Sequence, residues 1–479
     1  MALFPNANTD LFTIYKEWYR EKGVENLLYR NSPLLKEAHK IKVGGKYYVY
    51  PMMYTRGGQV SGDMLMAQNI LNVGGLGAQT QQARVPYAKI FSSFYINEAE
   101  ILAGANVRGA FTPPAVVKMF AATDALRKTF AAGAYGLGYG ELGQLPTAVN
   151  AAATTMTLNF DTIIKMDVGT MFYVTTSADP SSALIGSTGT VGNTQSTTTA
   201  FTVTNIVGNT VTFSPQAPGG GFAQYAWIEL LGGRDAAGNP NMQTGLRGWL
   251  PAHYNRTGGN WNTYIGTAFF NLTRNLVPDR MAGAFYLQGT VTGGEPRIAA
   301  IKYGVQYARR GGGVPNMIVM NDATLAAILE EIRANTTYFQ AINNGDKGSS
   351  NEVVVGLQQT DFQFSTSWIK YVIEDPYCPL GIIYILDKDA MEFVHLSNAD
   401  RPANDGIAAN EPGRAQVDSE TAPDFTFKLM VDELINIQPA STSDGPAAQV
   451  NLSLYGNWAL TNPANCSVVK TTDINASQF

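Results

Sequence analysis

Charge is scarce in this sequence. Asp, Glu, Lys and Arg make up 15% of its 479 residues, against about 25% in an ordinary soluble domain. The charges it has lean acidic, 38 carboxylates to 33 basic residues for a formal net charge of −5. That balance argues against a dedicated nucleic-acid binder, whose phosphate contacts call for a basic surface. Cysteine occurs only at Cys378 and Cys466. Two thiols so far apart make neither a disulfide framework nor a metal site, and reduced thiols are expected. The three histidines, His39, His253 and His395, are isolated from one another, so no spaced pair hints at zinc. The chain opens Met1-Ala2-Leu3-Phe4-Pro5-Asn6, with no basic n-region and no apolar h-region, so no secretory signal is expected. Apolar runs fall short of the ~18 residues that mark a membrane-spanning helix, and no membrane partner is expected.

Glycine (48) and tyrosine (23) are plentiful instead. A low-charge surface of this kind suits a chain that covers much of itself with copies of itself. The length is ample for a sizeable core and fits roughly two to four domains.

Residues 46–95 are the most informative stretch. A strand-like run, Lys46 to Tyr54, precedes residues 57–82, which contain Asp63 as their one charge and glycines at 57, 58, 62, 74, 75 and 77. A second strand-like run then returns over Ala83–Phe91. A structureless excursion of that length is uncommon inside a compact domain. It reads either as a mobile surface loop or as an arm that folds only in an assembly, presenting Met64, Leu65, Met66, Ile70, Leu71 and Val73 to another chain. On the second reading these six residues are the candidate inter-subunit contacts.

Elsewhere the periodicity is conventional. Residues 1–45 read as an arm with one amphipathic helix, capped at Thr9 or Asp10 and carrying Leu11, Ile14, Tyr15 and Trp18 on one face, and a second short turn over Val24–Tyr29. Residues 113–134 give the clearest helix, with Pro114 near its first position and glycines at 133, 136 and 138 to stop it. Residues 150–233 are rich in Thr, Ser, Gly and Val, with short strand runs and a two-residue hairpin signal at Gly208-Asn209; they suggest a small inserted β-barrel or sandwich. Residues 296–396 read as α/β: a helix opened by Pro296 and closed by Gly311-Gly312-Gly313, a buried strand Met317–Met320, and a helix capped by Asn321 or Asp322. Strands follow at Val353–Val355, Tyr371–Ile373, Ile382–Leu386 and Met391–Val394. A polar loop over 397–424 precedes strands at Phe427–Val431 and Val450–Tyr455.

Catalysis is poorly served. Gly138-Tyr139-Gly140-Glu141-Leu142-Gly143 matches a dinucleotide fingerprint by letters alone, but a helix precedes it where a strand is required, so no cofactor is expected. Neither a phosphate-cradling Gly-x4-Gly-Lys-Ser/Thr loop nor a Gly-x-Ser-x-Gly elbow occurs. Glu330-Glu331 falls on the polar side of a helix, read as a solvated face, and Glu374-Asp375 before Pro376 reads as turn chemistry. Arg309-Arg310 suits the negative pole of its helix, with a phosphate contact as the alternative. The sequon at Asn271 carries little weight without a secretory signal. Neither a catalytic nor a metal-binding residue is nominated.

The order of these parts resembles the major capsid proteins of tailed double-stranded DNA bacteriophages, the Hong Kong 97 type. Asn31-Ser32-Pro33-Leu34-Leu35 is similar to the arm of such proteins and Ala83 to Ile90 to the returning strand. Gly245-Leu246-Arg247-Gly248-Trp249-Leu250-Pro251 is similar to the exit from an inserted module, and Asp375 to Asp387 to the strand pair of the axial domain. The resemblance implies an α+β fold: N-terminal arm 1–45, extended hairpin loop 46–95, peripheral domain with spine helix 96–149, inserted β domain 150–235, connection 236–295, axial domain 296–396, and loop with return strands 397–479. It further implies self-assembly into pentamers and hexamers of an icosahedral shell around double-stranded DNA, assembled in a bacterial cytoplasm and residing in the virion. Portal and decoration or minor capsid proteins are implied partners. The absence of lysine from residues 57–82 implies no covalent cross-link from that tip, and an arm starting near Met1 implies a separate scaffolding protein. The alternatives are the shell of a cargo-enclosing nanocompartment of the same fold and, further off, a hydrolase.

Overall fold

The computed structural model describes residues 33–55, 61–66, 68, 79–97, 114–252, 269–291, 293–335, 362–364, 367–369, 371–396, 435–441 and 447–472, and every structural statement concerns these. The expected arm helix, the strands at 353–355 and 427–431 and the polar loop at 397–424 lie outside them. Strand β1 (His39–Lys42) leads to a ribbon of β2 (Tyr47–Thr55) and β3 (Gln79–Pro86), and β4 (Ala88–Asn97) follows. Helix α1 (Pro114–Gly133) separates these from β5 (Glu141–Gln144), β6 (Thr155–Thr157), β7 (Met171–Thr175), β8 (Leu184–Gly186), β9 (Gly189–Gly192), β10 (Phe201–Val207), β11 (Thr210–Ser214) and β12 (Trp227–Leu230). Next come β13 (Ala284–Leu287), α2 (Arg297–Arg310), β14 (Met317–Met320), α3 (Asp322–Asn335), β15 (Phe362–Phe364), β16 (Ser367–Ile369), β17 (Tyr371–Glu374), β18 (Ile382–Leu386) and β19 (Met391–His395). Strands β20 (Ile435–Ser441), β21 (Ala447–Leu460) and β22 (Ser467–Lys470) complete the mixed α+β chain.

The helices form where local signals place them. Pro114 opens α1 at the position where a missing N–H costs least. Leu126, Phe130 and Ala131 bury one stripe, and Thr123, Asp124 and Lys128 are buried as well, so the second half of the helix is embedded almost all round. In α2 the buried residues are Ala300, Ile301, Gly304, Val305 and Ala308, at helical spacing. Asn321 caps α3: its Oδ1 accepts from the Ala323 N–H at 3.0 Å.

Three sheets organise the body. The first runs β1-β19-β21-β20, with β4 on the other edge of β21. Its centre is the fourteen-residue β21, which pairs with β4 from Ala447↔Asn97 to Gly456↔Ala88. The second runs β13-β22-β18-β14-β17 with α2 and α3 packed on it; β14 is parallel to β17 and antiparallel to β18. The third is an eight-stranded sheet built from β5 to β12 with its own core. Phe172, Phe201, Phe213 and Phe222 meet there with ring centroids 5.3–5.9 Å apart. A further core joins α1, the first sheet and the β2–β3 ribbon through Phe130, Phe393 and Trp458.

Several boundaries differ from expectation. The returning run Ala83–Phe91 is not one strand. It breaks at Tyr87, so β3 pairs with β2 while β4 leaves for β21, and the hairpin closes at 86 rather than 95. A proline at the break donates no ladder hydrogen bond, which favours the change of partner there. The inserted sheet starts before 150, because β5 pairs with β12. The second sheet takes strands from 284–287 and 467–470, beyond the expected 296–396. Within that range, β19 belongs to the first sheet instead. The Gly208-Asn209 turn is as expected: Val207 pairs with Thr210 and Gly208 has φ +57°, open to glycine at no steric cost. Gly245 is needed for a different reason. Its N–H donates to the Gly136 carbonyl at 2.9 Å, and a Cβ there would collide with the Ala134 carbonyl on the exit of α1.

Candidate assembly surface

The β2–β3 ribbon is anchored along one face and bare along the other. Inward-facing Tyr50, Met52, Ala83 and Val85 are buried in the core. The Tyr50 hydroxyl donates to the Leu460 carbonyl at 3.0 Å and the Tyr48 hydroxyl to Glu392 Oε2 at 3.0 Å. Burial, with the Glu392 carboxylate adding to it, pushes the Tyr48 hydroxyl up to about 12. The edge of β3 is held by its neighbours: the Arg84 N–H donates to the Phe270 carbonyl at 2.9 Å, and Asn271 Nδ2 to the Gln82 carbonyl at 3.1 Å. On the side of β2, Arg280 donates to the Tyr54 carbonyl at 3.2 Å. The base of the ribbon is therefore a fixed platform.

The opposite face carries Tyr47, Val49 and Met53, with 42%, 48% and 56% of their surface exposed. A strand with one solvated face should alternate apolar with polar. Strand β2 is apolar on both faces, a signal present in its letters that the sequence reading passed over. Among the six tip candidates, Met64, Leu65 and Met66 sit in one exposed turn, 76%, 67% and 57% exposed. Asp63 Oδ1 accepts from the Leu65 N–H at 2.9 Å to start that turn. Ile70, Leu71 and Val73 lie outside the described residues. A second exposed aromatic pair, Phe91 and Tyr95, stands on the outer face of β4, with Phe91 edge-to-face against Tyr455 at 5.9 Å.

The titratable groups have structural duties. Asp375 is fully buried, accepting from Tyr135 Oη at 2.8 Å and from the Tyr377 N–H at 3.0 Å. The second bond is the expected turn chemistry, and the first ties the turn to the exit of α1. Burial pushes the Asp375 carboxyl up to about 6. Glu331 departs from the solvated reading: its carboxylate takes the Arg297 N–H at 3.0 Å and pairs with the Arg297 guanidinium at 3.4 Å, joining α3 to the start of α2, whereas Glu330 is exposed. Glu141, inside the fingerprint-like glycine run, is buried and accepts from the Leu137 and Tyr139 N–H groups. His39 is exposed on β1 and His395 buried on β19; His253 lies outside the described residues. Cys378 and Cys466 are free and buried, and burial pushes both thiols up, away from reactivity. Among the described residues there is no cluster of three or more His, Cys, Asp or Glu placed to hold a metal ion, and no helix is long and apolar enough to cross a membrane.

No protein-family model and no curated protein matches the chain. Solved structures do. The capsid subunit of cyanophage A-1(L) is 12% identical, with 95% of each chain covered and a TM-score of 0.49. The capsid of a native GTA particle is 10% identical, covering 98% of this chain and 100% of that one at a TM-score of 0.42. An encapsulin, SrpI of Synechococcus elongatus, is 8% identical over 98% and 96% at 0.38.

Proposed function

We propose that this chain is the major subunit of an icosahedral virus head, assembling as pentamers and hexamers around double-stranded DNA. The β2–β3 ribbon and its tip serve as the clasp on a neighbouring copy. The observation that carries this reading is the two-faced ribbon. One face is locked to the body, while the other offers Tyr47, Val49 and Met53 and leads to a tip turn with Met64, Leu65 and Met66 exposed. Apolar residues gathered on a projecting element mark an interaction site, because leaving them in water forgoes their burial. Many repeated contacts of modest strength, made by copies related by symmetry, are what a closed shell requires. The scarcity of charge agrees, and the acidic balance makes DNA a contained cargo rather than a tightly bound ligand. A separate scaffolding protein and a portal are the partners this role implies, with decoration or minor capsid proteins beside them.

Electron microscopy of the purified chain across a concentration series, with and without a scaffold, tests the reading. Closed shells are expected, and shells recovered from infected cells should hold double-stranded DNA. Enzyme cargo in place of DNA would move the assignment to a nanocompartment. A persistent monomer at high concentration, scaffold or not, would overturn the shell role altogether.

A further inference from the structure

A clasp needs a seat, and the outer face of β4 has the character of one. Its outward row runs Lys89, Phe91, Ser93, Tyr95, all exposed, with Phe91 at 62% and Tyr95 at 57%. The inward residues Ala88, Ile90 and Phe94 are buried, so the row is one bare face of an otherwise packed strand. That face is held firmly. Strand β4 pairs with β21 along its length, the Phe91 ring lies against Tyr455, and Lys118 Nζ donates to the Tyr95 carbonyl at 3.0 Å. Across the ladder from the row stand Tyr455, Ser453, Asn451 and Gln449, none of them acidic. Lys89 makes no ion pair among the described residues.

The ribbon tip is the converse. Asp63, the one charge of residues 57–82, is exposed and makes no ion pair among the described residues. It heads the turn that bares Met64, Leu65 and Met66. Each surface thus sets one uncompensated charge beside large apolar side chains, and the two charges are opposite. Thioethers pack favourably against aromatic rings. The two surfaces do not meet within one chain. Tyr87 alone separates β3 from β4, whereas a strand needs a loop of about two residues to fold back along its neighbour. The eight residues of β3 carry the tip about 25 Å beyond that corner.

We propose that the outward row of β4 is the seat on which the ribbon tip of a second copy docks. Asp63 of one copy pairs with Lys89 of the next, and Met64, Leu65 and Met66 pack on Phe91 and Tyr95. The inference rests on the clasp role of the ribbon. Tip and seat are different patches of the same chain, so the contact is heterologous and passes from copy to copy around a ring. The opposite charges fix the register, and the apolar side chains supply the burial.

Charge reversal tests the seat, read as the threshold concentration for assembly in light scattering. Asp63→Lys and Lys89→Asp should each raise the threshold about tenfold, since each sets like charges against one another. Both reversals in one chain should bring it back to within about threefold of the parent. Phe91→Ser with Tyr95→Ser should raise it about thirtyfold. All four residues are exposed, so the melting temperature of the monomer should hold in every variant. A chain carrying Asp63→Cys and Lys89→Cys should form disulfide-linked oligomers on mild oxidation, while the buried Cys378 and Cys466 stay out of the reaction. Single reversals that assemble at the parental threshold, a double reversal no better than the singles, or a cysteine pair that stays monomeric would each overturn this seat. The clasp is judged separately. If replacing Tyr47, Val49 and Met53 by threonine blocks assembly while the reversals do not, the ribbon is a clasp seated on another surface. A parent that never assembles overturns clasp and seat together.

Discussion

Replacing the bare face of the ribbon, Tyr47→Thr, Val49→Thr and Met53→Thr together, should separate folding from assembly. Threonine preserves strand propensity, and the three side chains point away from the core that holds Tyr50 and Met52. The melting temperature of the monomer should therefore hold, since exposed substitutions of this kind typically shift stability by about 0.5 kcal/mol or less. Assembly should not hold. Fully burying such side chains contributes about 1.5–3 kcal/mol each. Roughly half of each is still exposed in the free subunit, leaving about 1 kcal/mol per residue, or about 3 kcal/mol per clasp. At 1.4 kcal/mol per decade, the threshold concentration for shell formation should rise about a hundredfold. Light scattering across a concentration series, read beside sedimentation velocity, measures it. If the triple variant closes shells at the parental concentration, the ribbon face is not an interface, and the clasp reading fails with it.

Three stability predictions follow from the interior. Asp375 titrates near 6 in the fold against about 4 in an unfolded chain. The native state therefore holds the proton more tightly, and stability falls as pH rises from 4 through 6. Relative to Asp375→Asn, the parent should lose about 2 kcal/mol between pH 4 and 7 in denaturant titrations. Two of the buried indoles, Trp249 and Trp458, should respond unequally to Trp→Phe. The Trp249 Nε1–H donates to the Trp458 carbonyl at 2.8 Å, whereas the Trp458 Nε1–H has no partner among the described residues. Trp249→Phe should consequently cost about 1–3 kcal/mol more than Trp458→Phe in the same assay. Finally, Gly245→Ala drives a methyl into the backbone carbonyl of Ala134 and should cost about 1–3 kcal/mol, read as a lowered melting temperature.

The elements written into local letters were readable in advance. Helix α1 follows its proline and glycines, and α3 its Asn321 cap. The β10–β11 turn follows Gly208, and β14 and β18 stand out as short, wholly apolar runs between turn residues. Partnership between distant strands was not readable. Nothing around Glu141–Gln144 says that it pairs with Trp227–Leu230, or around Ser467–Lys470 that it slots between β13 and β18. Pairing is decided by which edges remain free once the rest has packed, and no local pattern encodes that. The tip residues Met64, Leu65 and Met66 were nominated from scarcity of charge, and they are exposed. The less exposed but still bare Tyr47, Val49 and Met53 were hidden because they sit in what looked like ordinary strand, where only the parity of the apolar positions distinguishes bare from buried. Glu331 escaped for the same reason in reverse: helical periodicity puts it on the polar side, and only the approach of α2 gives it a partner.

The placing of β21 and β22 sets a timetable for synthesis. Strand β4 leaves the ribosome some 350 residues before the partner it pairs with, and β13 waits through more than 170 for β22. Until residues 447–470 emerge, two of the three sheets lack a central strand, and their unpaired edges must be kept from other chains. Contacts of such long range make for slow folding. A translation product broken off before residue 447 has every strand of the inserted sheet but can complete neither of the others, so it lacks part of the body on which the ribbon is mounted. The fold thus inspects its own completeness: a prematurely terminated chain lacks the strands that hold the inward face of the ribbon in place.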